Sequence, residues 1–82
     1  MVTADYSPHF EKILKKINDG LMKQRIRKYI AKIIESPEIG KPMKYSRHGT
    51  REVYVLPFRL SYIYLKEENK IIFLDLYHKD KQ

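Results

Sequence analysis

The chain has 82 residues, 43% of them hydrophobic, with 17 Lys and Arg against 10 Asp and Glu, a formal net charge of +7. That length holds one core and no second, so a single domain over residues 1–82 is expected, one that gains from a permanent protein partner. The absence of cysteine removes disulfides, thiolate catalysis and cysteine-ligated zinc together, and the positive charge draws phosphate-rich partners.

Two further classes drop out on pattern. No apolar run approaches the ~20 residues that a spanning helix needs, so a membrane role is not expected. The opening Met1-Val2-Thr3-Ala4-Asp5 lacks the basic-then-apolar order of a signal peptide, and a cytoplasmic location is expected. His9, His48 and His78 have no ligand-like spacing and no carboxylate cluster beside them, so neither a metal nor another cofactor is expected.

In chain order, Val2–Tyr6 reads as a short first strand weakened by Thr3 and Asp5. Ser7-Pro8 opens a helix, since serine caps orphan amides and proline loses nothing at the first helical position. Phe10, Ile13, Leu14 and Ile17 then recur at helical spacing, and Asn18-Asp19-Gly20 stops them. A second helix runs from about Leu21 to Ile34, with Met22, Ile26, Tyr29, Ile30 and Ile33 as its apolar stripe and Ser36-Pro37 as its end. Its outward Lys23, Arg25, Arg27, Lys28 and Lys32 make either a footing on RNA or a solvated helix face.

A basic loop, Gly40 to Arg51, then leads into three strands at Arg51–Leu56, Phe58–Leu65 and Ile71–Tyr77. Leu56-Pro57 breaks the first two, and Lys66-Glu67-Glu68-Asn69-Lys70 is a polar turn before the third. The expectation is α+β: a short N-terminal strand, then a two-helix hairpin packed on a small antiparallel sheet, in the order β-α-α-β-β-β. Cations therefore collect at the mouth and ends of a small sheet, an arrangement suited to RNA.

Four stretches carry a family resemblance. They are Tyr6 to Ile17, Gly40-Lys41-Pro42-Met43-Lys44, Phe58-Arg59-Leu60-Ser61-Tyr62, and Ile71 to Asp80 with its closing His78-Lys79-Asp80. In that order they resemble the RelE/ParE superfamily of small bacterial and archaeal toxins over nearly the whole chain. The RelE branch implies the fold of the microbial ribonucleases and a metal-independent endoribonuclease that cuts messenger RNA in the ribosomal A site. It also implies neutralisation by a RelB-like antitoxin, here expected to be acidic because it competes with RNA for a positive surface. The ParE branch shares the fold but poisons DNA gyrase without cleaving RNA, so the fold alone does not fix the activity.

Metal-free cleavage needs a base for the ribose 2′-hydroxyl, cations on the scissile phosphate and an acid for the leaving oxygen. By resemblance Arg59 is the strand arginine that stabilises the phosphate; its alternative is a surface arginine on a strand end, or one paired with Glu52. Lys79 falls where the family usually carries arginine, and His78 is the one C-terminal group that exchanges a proton near neutral pH. Tyr54 takes a position that is lysine or histidine in some members, with half-buried packing as its alternative role and base stacking as its functional one. Glu52 sits where the best-known RelE is basic.

Lys41, Lys44, Arg47, His48 and Arg51 are expected to contact the RNA backbone. Many members carry an aromatic residue several positions after the terminal arginine. The sequence to Gln82 has none, which implies a substitute, or activity that is reduced or absent. A plain RNA-binding domain is the remaining rival.

Overall fold

The computed structural model describes residues 2–43 and 49–80. The elements are β1 (Thr3–Tyr6), α1 (Pro8–Lys16), α2 (Gly20–Glu35), β2 (Lys41–Pro42), β3 (Thr50–Val55), β4 (Phe58–Leu65) and β5 (Lys70–His78), with a 3-10 turn at Lys66–Glu68. The α+β layout expected from the sequence is the one observed. No described helix is long and apolar enough to cross a membrane.

Both helices begin on side-chain caps. Ser7 Oγ accepts from the Phe10 amide at 3.0 Å and donates to the Leu74 carbonyl at 3.1 Å, so the cap also ties α1 to β5. Asp19 Oδ1 accepts from the Leu21 and Met22 amides at 3.0 and 3.3 Å. The Asn18-Asp19-Gly20 stretch thus works differently from its sequence reading: α1 already ends at Ile17, and Gly20 opens α2 instead of closing α1 in a left-handed turn.

The strands form one sheet in the order β1-β5-β4-β3-β2. β3, β4 and β5 are the expected antiparallel meander. β1 lies parallel to β5, from Thr3 opposite Lys70 to Tyr6 opposite Phe73, which makes the sheet mixed. The two-residue β2 adds Lys41 opposite Glu52 and Pro42 opposite Arg51. Alternation in the sequence reports which side of a strand is apolar, not which distant strand it meets, so neither pairing was legible.

One face of the sheet is packed against the helices. Phe10, Ile26, Ile30 and Ile33 meet Val55, Leu60, Tyr62, Ile71, Phe73 and Leu76 in one buried cluster. A bulge shapes this face: Ser61 is opposite Asp75 whereas Tyr62 is opposite Phe73, so Leu74 is the extra residue on β5. Ile71 and Phe73 face the helices, and the bulge resets the alternation so that Leu76 joins them. Tyr77 is thereby sent to the other face.

Tyr62, fully buried, also fixes the segment between α2 and the sheet. Its hydroxyl donates to the Pro37 carbonyl at 2.7 Å and accepts from the Gly40 amide at 2.9 Å. Gly40 is required there, because a Cβ would stand 2.5 Å from that hydroxyl oxygen. Burial pushes the Tyr62 phenol above its usual 10, against the opposing pull of the Gly40 amide and Arg51.

Tyr62→Phe leaves the buried Gly40 amide and the part-buried Pro37 carbonyl without this partner and is expected to cost about 1–3 kcal/mol in denaturant unfolding. Since folding raises this pKa, the stability it confers is present below pH 10 and lost as pH rises through the folded value. The alkaline fall in stability should therefore be shallower in Tyr62→Phe than in the parent.

Candidate functional site

The face away from the helices is built by register. Tyr54 is opposite Arg59, Arg59 is opposite Tyr77, and Glu52 and Tyr54 share a side of β3. These four side chains come from the three central strands and converge on one patch.

Arg59 lies at its centre. Its guanidinium carbon is 5.0 Å from the centroid of the Tyr54 ring, a cation–π contact, and its Nη1 is 3.7 Å from Glu52 Oε1. The Tyr77 hydroxyl donates to Glu52 Oε2 at 3.3 Å. Burial, and then the Glu52 charge, push the Tyr77 phenol above 10, with a hydrogen bond from Arg59 pulling the other way; Tyr77 therefore stays protonated at neutral pH. The side chains of Arg59 and Glu52 are 23% and 12% exposed, whereas Tyr54 is 51% exposed and ready to receive a flat ring.

At the outer edge of β3, beyond the short β2, a cavity of about 220 Å³ is lined by Ile39, Lys41, Glu52, Val53 and Tyr54. Lys41 is exposed at its rim. The patch offers a cation for an anion, an aromatic platform and a carboxylate side by side.

Of the residues singled out from the sequence, Arg59 and Tyr54 meet here. Arg59 also makes the ion pair with Glu52 that was its alternative reading. His78 does not join them. It is opposite Phe58, its ring stands edge-on to that of Phe58 at 5.9 Å, and strand alternation sets it on the face opposite to Arg59. Its Nδ1 accepts from the Asp80 amide at 3.3 Å and is 3.8 Å from Asp80 Oδ2. Lys79 is exposed, and its amide donates to the Pro57 carbonyl at 3.0 Å, so its backbone stands beside the β3–β4 turn next to Arg59.

Arg51 is committed to the scaffold: Nη1 donates to the Glu38 and Gly40 carbonyls at 3.1 and 2.7 Å. Those bonds hold the same segment as Tyr62, which explains this arginine without RNA. Lys44, Arg47 and His48 lie outside the described residues. Tyr77 is the site residue the sequence hid, because alternation from Ile71 and Phe73 points it into the core and only the bulge turns it out. Among the described residues no three His, Asp or Glu side chains gather where a metal ion would sit.

Residues 4–82 match the family model described as the ParE toxin of type II toxin–antitoxin systems, parDE. Among curated proteins none is significantly similar in sequence. In shape the chain is similar to a chain of the intact E. coli RelBE toxin–antitoxin complex, with a TM-score of 0.82 at 16% identity, covering 95% of this chain and 96% of that one. It is also similar to the archaeal RelE–RelB complex from Pyrococcus horikoshii (0.80, 14% identity, 99% and 98% covered). A metal-bound toxin from Helicobacter pylori gives 0.77 at 24% identity, with 99% and 98% covered. At these identities the likeness is one of fold. The family match over nearly the whole length goes further: the chain belongs to the ParE toxin family of type II toxin–antitoxin systems, in the RelE/ParE superfamily.

Proposed function

We propose that this toxin is a metal-independent endoribonuclease that cuts messenger RNA in the ribosomal A site and is held inactive by an acidic RelB-like antitoxin. The observation that carries the reading is Arg59 over the exposed Tyr54 ring on the uncovered sheet face. A phosphodiester needs a fork of N–H donors, and the adjoining base needs an aromatic surface; here they are one contact apart.

In this reading Arg59 takes two oxygens of the scissile phosphate and stabilises the charge that grows as the pentacovalent state forms. Tyr54 stacks on a neighbouring base and fixes the messenger's position. Lys41 and Lys79 contribute to RNA affinity through their charge. His78 is left out of the proton transfer, being on the far side of the strand pair. The net charge of +7 favours approach to ribosomal RNA. Support for an antitoxin partner comes from the E. coli relative, which was solved as a toxin–antitoxin complex.

A second reading, gyrase poisoning without chemistry, is favoured by the Glu52–Arg59 ion pair, which opposes anion binding at that guanidinium. Primer extension on a translated reporter messenger, with the antitoxin removed, separates the two. Cuts within A-site codons are expected, reduced about 100-fold or more in Arg59→Ala. Growth arrest without cuts, accompanied by blocked DNA supercoiling and unaffected by Arg59→Ala, would instead identify the gyrase activity. In the same assay Tyr54→Ala should raise the toxin concentration for half-maximal cutting about tenfold, the effect of losing one stacked base worth ~1–3 kcal/mol.

A further inference from the structure

We propose that Glu52 is the group that takes the 2′-hydroxyl proton during RNA cleavage, with Tyr77 as the positioning residue that fixes its carboxylate. The inference rests on the ribonuclease reading and supplies the proton acceptor that His78, on the opposite face, does not.

The geometry of Glu52 carries it. Each carboxylate oxygen has one neighbour from a different strand: Oε2 accepts the Tyr77 hydroxyl at 3.3 Å, and Oε1 is 3.7 Å from Arg59 Nη1. The second contact is long against the ~2.7–2.9 Å of a charge-assisted hydrogen bond. Oε1 is therefore not held in a direct hydrogen bond by that Arg59 nitrogen and keeps lone-pair capacity for a proton. Glu52 and Tyr54 also line the same β3-edge cavity, which puts the residue next to the ring proposed to hold a base. The titratable groups around it are Lys41 on β2, Tyr54 on its own strand, Arg59 on β4 and Tyr77 on β5. Tyr77 keeps its proton at neutral pH and so remains a donor to Glu52.

The step balances as follows. The 2′-O–H proton passes to Glu52, the freed 2′-oxygen bonds to phosphorus, and the bond from phosphorus to the 5′-oxygen breaks. The departing 5′-oxygen takes a proton from water on the uncovered face. The products are a 2′,3′-cyclic phosphate and a 5′-hydroxyl end.

The test is single-turnover cutting of a messenger on programmed ribosomes by the full chain, with binding of that messenger complex measured in parallel. Glu52→Gln removes a negative charge beside the RNA, so binding should hold or tighten while the rate falls about 100-fold or more. Glu52→Asp keeps a carboxylate and should retain measurable cutting, which separates chemistry from misfolding. Tyr77→Phe should slow cutting several-fold at unchanged half-saturating concentration. If Glu52→Gln cuts as fast as the parent or faster, the carboxylate only masks Arg59, and this proposal fails while the ribonuclease reading stands. Cutting that is lost in His78→Ala but kept in Glu52→Gln overturns it in favour of histidine. If the parent makes no cut at all, the ribonuclease reading itself falls.

Discussion

Strand β4 divides the molecule into two chemistries. Leu60 and Tyr62 go under the helices, while Arg59 goes to the side no helix covers. Because neighbours across a ladder share a face, that one alternation decides which residues of β3 and β5 accompany the arginine. Glu52, Tyr54 and Tyr77 are beside Arg59 for this reason and not through any closeness in sequence. A slip of one residue would bury the arginine and expose the core.

The bulge on β5 extends the same logic. A regular strand that put Ile71 and Phe73 into the core would put Tyr77 there too, and leave Leu76 outside. The extra Leu74 lets both the early and the late part of β5 satisfy the core while a phenol is delivered to the open face. The helical side has its own fixed point, where Tyr62 and Arg51 grip the carbonyls of Pro37, Glu38 and Gly40 and set where the chain enters the sheet. Arg51 shows that a cation in a basic run can be scaffold: its charge is legible in sequence, but its two carbonyl partners are not.

Much of the frame could be read directly from residue types. Ser7-Pro8 marked the first helix, the apolar stripe through Ile26, Ile30 and Ile33 marked the second, and alternation marked the three-strand meander. What escaped depends on distant partners: the parallel β1–β5 pair, the capping role of Asp19, and the bulge that turns Tyr77 outward. Within the site, Arg59 and Tyr54 were legible through resemblance. The separation of His78 was not foreseen, because the parity that sets it behind the sheet depends on its pairing with Phe58. Glu52 was visible only as a departure from a basic position, and its contacts give that departure a physical content.

The central claim is that RNA is handled on the uncovered face of the sheet, around Arg59. The most direct measurement is a structure of the toxin on a ribosome whose A-site messenger carries a 2′-O-methyl group at the scissile position. The account predicts the blocked phosphate against Arg59, a base stacked on Tyr54 and the methylated oxygen nearest Glu52. A messenger lying instead along α1 and α2, or a toxin bound with its open face turned away from the RNA, would contradict it.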